Sequence, residues 1–331
     1  MNRLLLWVGA AGLLLTGCQK DDVVDCAPTP PVVTPPTPPV VTPPTPPTSN
    51  LSLAEFTRRN SAPVQYFRFA PNTAWTITTR AGARLALPAN YFYLPSGTLA
   101  SDTCYLRVRE LYSVPDMVLA DMPTNAVQPQ GLLVSGGEFS IQAWQASVRL
   151  RANGATLNGQ FRLLELASPV VAGQDSIGQQ LWQQPFVQGR LLGWQLASYP
   201  DVRTQSGINR ASIPLDSLSW WNIDKLWSAY AGASSVAVTV EAPMATTGET
   251  RVYVRPAGLN GLVRLGASGS TGTQWQASMP QGASMQAIVL QSINGQLYFG
   301  TQLFTVQSGV VTKPTLTAVS EADAVRLIRQ L

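Results

Sequence analysis

From residue 51 onward, apolar and polar positions alternate with a period of two along short runs. At 103–111, Cys104, Leu106 and Val108 share one face. At 137–146, Phe139, Ile141 and Ala143 share one face, and Ser140, Gln142 and Trp144 the other. Such alternation marks half-buried β-strands. Further runs rich in valine, threonine, tyrosine and phenylalanine lie at 64–70, 74–79, 84–87, 148–152, 159–165, 234–241, 250–255, 284–293 and 296–306. Glycine- and proline-containing breaks separate them. Asn294-Gly295, between the last two runs, is the strongest two-residue hairpin signal, because both residues tolerate positive φ. A turn is expected at Ser135-Gly136-Gly137, just before the 137–146 strand. Helical spacing is convincing only at 321–331, where Ser320 can cap and Val325, Ile328 and Leu331 form one stripe.

The fold class expected is all-β, with two immunoglobulin-like β-sandwich domains and a short C-terminal helix. A length of 331 residues suits two domains. Only 12% of residues are charged, about half the usual share, which excludes a disordered solvating chain. Five of the nine tryptophans (Trp182, Trp194, Trp220, Trp221 and Trp227) lie between 169 and 230. They could line a ligand platform, but filling the space between two sandwiches is the favoured reading. The expected division is a first sandwich at 50–168, then a Trp-rich connecting segment and second sandwich at 169–331.

The first 49 residues differ in character. Asn2-Arg3, an apolar run at 4–15 and Leu15-Thr16-Gly17-Cys18 read as a signal peptide over 1–17, too short for a permanent membrane span. Residues 18–49 read as a tether. Eleven of the 22 residues 27–48 are proline, which favours polyproline II and a reach of roughly 70 Å. A Pro-x-x-P ligand is the lesser alternative.

Leu15-Thr16-Gly17-Cys18 resembles the lipobox of bacterial lipoproteins, which implies acylation of Cys18 and attachment to the membrane through that lipid. Gln19-Lys20-Asp21-Asp22 resembles the export signal of Bacteroidetes lipoproteins, with Lys20, Asp21 and Asp22 as its charged core. That implies an outer-membrane location facing the exterior. Arg80-Ala81-Gly82-Ala83-Arg84-Leu85-Ala86-Leu87-Pro88, Leu106-Arg107-Val108-Arg109-Glu110-Leu111 and Leu133-Val134-Ser135-Gly136-Gly137-Glu138-Phe139 resemble in their order a group of Bacteroidetes surface lipoproteins without an established activity. More distantly they resemble the β-sandwich shared by zona occludens scaffold proteins, netrin receptors and ankyrins. The resemblance spans about 64–166 and implies an interaction or scaffold role. Some members of that wider family cleave themselves with a histidine. This chain has none, so that activity is not carried over.

The absence of histidine also removes histidine bases and histidine metal ligands. No catalytic residues, metal site or cofactor are expected. Glu110, Asp116, Asp121 and Glu138 are the carboxylates nearest the resembling motifs. Glu110 is expected in a surface ion pair with Arg107 or Arg109, and Asp116 and Asp121 at the two ends of a short helical turn. A Ser–Lys dyad would have to use Lys225, and nothing around it supports one. Gly266 to Gly272 reads as a hairpin loop rather than a phosphate loop. The formal charge is +4, but the basic residues form no dense stripe, so nucleic acid is not an expected partner. Cys104 is expected as a buried thiol; a bridge to Cys26 is less favoured. Trp144, on the polar side of its strand, is the candidate ligand-binding residue. It could stack on a sugar or, as the favoured alternative, pack against the second domain. The expectation is thus a lipid-anchored, non-catalytic binding or scaffold protein whose partner is an extracellular glycan or surface protein. A carboxylate-dependent hydrolase of extracellular polymers is the alternative.

Overall fold

The computed structural model describes residues 51–128, 130–152, 164–171, 178–187, 190–191, 193–213, 219–232, 234–242, 248–268 and 272–331. Strands dominate these residues, and the all-β expectation holds.

The chain enters through helix α1 (Leu53–Asn60). Ser52 Oγ accepts the Glu55 amide at its start, and Leu53 and Phe56 turn inward. Next come β1 (Gln65–Phe69), β2 (Trp75–Thr78), β3 (Arg84–Leu87), β4 (Phe92–Tyr93), β5 (Cys104–Leu111) and helix α2 (Val114–Ala120). They are followed by β6 (Asn125–Gln128), β7 (Gln130–Gln145), β8 (Val148–Arg149), β9 (Arg151–Ala152) and β10 (Leu164–Pro169). Then come β11 (Gln180–Val187), β12 (Arg190–Leu191), β13 (Trp194–Gln205), β14 (Ile208–Ile213) and β15 (Ser219–Leu226).

Thirteen of these strands form one ladder in the order β1-β5-β7-β15-β11-β13-β14-β10-β3-β2, with β6, β8 and β12 attached at its sides, while β4 and β9 pair as a separate two-stranded sheet. The first part of β13 pairs with β11 and its last residues pair with β14, so this strand carries the ladder around a corner. The two arms then share a core. Leu106, Val108, Phe139, Ile141, Trp221 and Ile223 from one arm meet Ile77, Leu85, Leu166 and Ile213 from the other. The expected 168/169 division falls within β10, and β11 to β15 hydrogen-bond into the same ladder as β3, β5 and β7. The stretch expected to connect two sandwiches is thus largely strand.

After helix α3 (Ala229–Gly232) come β16 (Ser235–Glu241), β17 (Gly248–Pro256), β18 (Val263–Arg264), β19 (Gly266–Ser268) and β20 (Gln274–Pro280). The chain closes with β21 (Ser284–Ile293), β22 (Gln296–Thr305), β23 (Val311–Thr312), β24 (Thr317–Val319) and helix α4 (Glu321–Ile328). A sheet ordered β19-β20-β16-β23 faces another ordered β18-β17-β21-β22-β24, over Val238, Val240, Trp275, Val252, Val254 and Val289. The reverse face of the second sheet, with Tyr253, Ile288, Leu290 and Leu297, is covered by α1, α2 and α4. Strand β21 is therefore buried on both faces, which explains its continuous apolar run. Asn294 (φ 49°) and Gly295 (φ 80°) make the expected hairpin turn. Ser320 caps α4 by accepting the Asp323 amide, also as expected.

Segment 260–262 joins the two sets of layers. Thr124 N–H donates to Leu262 O (2.6 Å), and Leu262 N–H donates to Thr124 Oγ1 (3.0 Å). Asn260 Nδ2 donates to Tyr112 O and Ser135 O (2.9 and 2.8 Å).

The turn expected at 135–137 is instead a bulge inside β7, which extends back to Gln130. Before it, Leu132 and Val134 enter the β16–β24 core; after it, Phe139, Ile141 and Ala143 enter the first core. The inward positions change from even to odd across Gly136-Gly137, and the register with β15 shifts between Asn222 and Asp224. Gly137 has φ 134°, and a Cβ there would lie 2.8 Å from Tyr112 Cε1 and 3.1 Å from Phe139 Cζ. Gly137→Ala is therefore expected to cost about 2–4 kcal/mol in urea unfolding, from backbone strain plus overpacking. Gly97→Ala, with positive φ but open space around it, should cost about 1 kcal/mol. Equal losses would show that the bulge does not constrain β7.

Candidate functional site

The outer face of β1, β5, β7 and β15 divides into a covered half and an open half. In the covered half Leu111, Met122, Ala126, Leu133, Trp182 and Trp194 form a separate apolar cluster. The indoles are anchored there: Trp182 Nε1 donates to Asp224 O (3.1 Å) and Trp194 Nε1 to Pro123 O (2.8 Å). Four polar side chains near the bulge, Ser135, Glu138, Asn222 and Asp224, are fully buried. Ser135 Oγ donates to Asn222 Oδ1 (3.0 Å), Gly136 N–H to Asp224 Oδ1 (3.2 Å), and Asn222 Nδ2 to Asp224 Oδ2. Neither carboxyl oxygen of Glu138 has a hydrogen-bond partner among the described residues. Burial, then the charges of Asp224 and Asp116, push Glu138 well above the carboxylate range, so it is held neutral. Burial also raises Asp224, against the lowering effect of Ser135, Gly136 and Asn222. All four side chains are closed off from the surface by the described residues around them.

The other carboxylates weighed from the sequence are tied into structure. Glu110 is buried, not paired with Arg107 or Arg109 at the surface. It accepts Gln65 Nε2 (2.8 Å), Thr79 Oγ1 (2.7 Å) and Tyr112 OH (3.0 Å). That correction follows from position, because Glu110 lies on the core-facing side of β5 where the ladder folds over it. Ser113, rather than Asp116, caps α2, and Asp116 receives Ser113 Oγ and Arg329 Nη1. Asp121 closes α2 with φ 52° and binds Arg251, Arg264 and the Tyr253 hydroxyl, locking the helix to β17 and β18. None of these four lines either of the two clefts described below.

The open half is different. Tyr66 and Arg68 on β1, Tyr105, Arg107 and Arg109 on β5, Trp144 on β7 and Arg149 on β8 point outward together. Arg107 is central: its Cζ lies 4.3 Å from the Trp144 ring centroid and 5.6 Å from that of Tyr66. Arg149 approaches Trp144 from the other neighbouring strand at 5.8 Å. Each such contact contributes about 0.5–2 kcal/mol, depending on desolvation. Burial holds Arg109 below the ordinary guanidinium value, and burial followed by the Arg107 charge does the same for Arg149. Tyr66 and Tyr105 remain 63% and 40% exposed, enough to touch a ligand. Trp144 thus lies on the expected face, but its ring partners are guanidinium groups.

Two clefts lie elsewhere. One of about 380 Å³, on β10, β13 and β14, is lined by Glu165, Asp201, Arg203 and Arg210. Another of about 510 Å³ runs between Asn125, Val127, Tyr230, Arg264 and Gln276. Cys104 is buried and bridged to no described residue, its thiol pushed up to about 11 by burial and then by Asp102. Cys18, Lys20, Asp21, Asp22 and Cys26 lie outside the described residues, so lipidation, export and the Cys26–Cys104 bridge have no structural account. Among the described residues no three histidine, cysteine or acidic side chains gather to hold a metal ion, and no helix is long and apolar enough to cross a membrane.

No protein family matches the sequence, and neither does any curated protein. One solved structure with a likeness is the γ-CGTase from the alkalophilic Bacillus clarkii, at 11% identity over 78% of this chain and 42% of that chain. The chain thus spans less than half of that protein, and the TM-score of 0.19 carries neither fold nor activity across.

The raised position of Glu138 has a measurable consequence. Its neutral form favours folding fully below the usual 4.5, and that contribution is lost as the pH rises through the higher folded value. Glu138→Gln, which cannot ionise, is expected to be the more stable protein at about pH 8, by on the order of 1 kcal/mol, and to lose less stability between about pH 5 and pH 8. Urea unfolding of both proteins across that range checks it; parallel curves would mean that Glu138 is not held neutral.

Proposed function

We propose that this chain is a lipid-anchored, non-catalytic binding protein on the exterior of the outer membrane. It carries two immunoglobulin-like sandwich bodies on the proline-rich tether at 18–49. Acylated Cys18 supplies the hold on the bilayer, and the tether supplies reach. The observation that carries the binding role is the open face of β1, β5, β7 and β8. There Tyr66, Tyr105 and Trp144 stand among Arg68, Arg107, Arg109 and Arg149. Exposed tyrosines and cations without an ion pair among the described residues suit recognition on a sheet, whereas Glu110, Asp116, Asp121 and Glu138 are absorbed by structural partners or sealed.

The hydrolase reading retains one observation in its favour, the cleft that brings Glu165 and Asp201 together beside two arginines. Loss of polysaccharide turnover in Glu165→Gln or Asp201→Asn would establish it.

The anchoring reading predicts that intact-mass measurement of membrane-extracted protein shows a chain beginning at Cys18 and carrying acyl groups. Cys18→Ser should keep the leader and partition away from the membrane. Protease applied to intact cells should release the folded portion. An unmodified Cys18 thiol, or protection until the cells are broken, would overturn the anchor or its orientation respectively.

A further inference from the structure

The chemistry of the ligand follows from which groups on the open face are already engaged. A neutral sugar is ordinarily held by stacking on a free aromatic face, and a single-stranded nucleic acid by stacking its bases on several. Here Arg107 lies over both Trp144 and Tyr66, and Arg149 also flanks Trp144. The rings hold guanidinium groups in place, and the groups left to meet a ligand are the cations.

Those cations are arranged. Arg68 is opposite Tyr105, Arg107 opposite Tyr66 and Gln142, Arg109 opposite Ser140, and Arg149 opposite Trp144. Four adjacent strands at about 4.8 Å spacing give the row a width of about 14 Å, and alternate residues on β5 repeat at about 6.8 Å. Among the described residues, ion pairs engage Arg58, Arg59, Arg251, Arg264, Lys313, Arg326 and Arg329, but none of these four. The Nε atoms of Arg107 and Arg109 are buried without an acceptor. Arg68 has only a long bond, Nη2 to Thr103 Oγ1 at 3.4 Å. Planar guanidinium groups fixed in this way match carboxylate and sulfate groups in two-pronged fashion.

We infer that the open face of β1, β5, β7 and β8 binds a linear polysaccharide bearing carboxylate or sulfate groups. Arg107 and Arg149 receive the anions, and the exposed Tyr105, whose ring holds no guanidinium among the described residues, lies against the sugar backbone. This rests on the binding-protein reading and specifies its ligand class.

The full-length, detergent-solubilised protein is titrated by calorimetry with polygalacturonate, dextran sulfate, unmodified dextran and oligothymidylate. Binding is expected to polygalacturonate or dextran sulfate, and the better of the two assigns carboxylate or sulfate. It should weaken steeply with added salt and be undetectable with dextran. Arg107→Gln and Arg149→Gln should each reduce affinity at least tenfold, with Arg107→Lys retaining more than Arg107→Gln. Arg203→Gln with Arg210→Gln, in the separate cleft on β10, β13 and β14, should bind as the native protein does, which separates a local site from general positive charge. Thermal unfolding of every variant excludes loss of fold as the cause. Binding of dextran that is lost in Trp144→Ala would overturn this inference and leave the binding-protein reading standing. Tighter binding of oligothymidylate, equal loss in the Arg203 and Arg210 variant, or no binding of any polymer by folded protein would overturn it as well. No binding of any polymer would also remove the support this face gives to the binding reading.

Discussion

Strand β7 must satisfy two apolar cores with one run of backbone. Leu132 and Val134 belong among the side chains of β16 to β24, and Phe139, Ile141 and Ala143 belong between the two arms of the first ladder. A regular strand cannot do both, because inward positions at 132 and 134 would also put 138 and 140 inward. One extra residue at Ser135-Gly136-Gly137 reverses the parity, and glycine is needed because Tyr112 and Phe139 leave no room for a Cβ at 137. Segment 260–262 then hydrogen-bonds to Thr124, just ahead of β6, and to Ser135 at the bulge itself. The relation between the two sets of layers is therefore fixed by main-chain geometry rather than by a flexible linker.

The same bulge divides the outer face of the ladder. On one side of it, Leu111, Met122, Ala126, Leu133, Trp182 and Trp194 pack over the sheet, and Glu138 and Asp224 lie fully buried beside them. A buried carboxyl without partners is tolerated only when neutral. Beyond the covered part no apolar cluster of the described residues lies over the sheet, and there its outward residues include arginine, tyrosine and Trp144. The covered half gives the open half its rigidity, since β5 and β7 continue through both.

Strands with a clear alternation or a continuous apolar run are legible in the sequence. The expected 84–87 and 284–293 runs coincide with β3 and β21, and Asn294-Gly295 turns as its φ preferences demand. Strands β11, β13 and β15 were hidden because their alternation is masked: Trp182 faces the cluster under α2 while neighbouring Trp221 faces the ladder core. Of the clustered tryptophans, Trp182, Trp194 and Trp221 line the two surfaces of one sheet, whereas Trp227 packs against the β16–β24 core. Helix α1 had a readable signal, Ser52 three residues before Glu55 with Leu53 and Phe56 at helical spacing, but it is short and follows a proline-rich tract. Asp224 could have been suspected as an ionisable residue between Ile223 and the apolar stretch around it, though its closeness to Glu138 depends on a pairing across more than eighty residues. The alternation placed Trp144 on the outward face. What it could not give was Arg107 above its ring, which requires the register of β5 against β7.

Nineteen of the 22 basic residues are arginine, and the open face shows what that choice achieves. Four cations on neighbouring strands repel one another, and the lowered position of Arg149, due in part to Arg107, records that repulsion. A lysine would relieve it by swinging its ammonium into water, which would disperse the row. Guanidinium groups are more weakly hydrated and lie flat on aromatic rings, so Tyr66 and Trp144 can hold Arg107 in place despite its neighbours. The free protein therefore carries an electrostatic cost on this face that the fold does not require, since Glu110 points inward from the same strand and could not neutralise it. An anion bound to the folded state would relieve that cost and so stabilise the sheet by mass action.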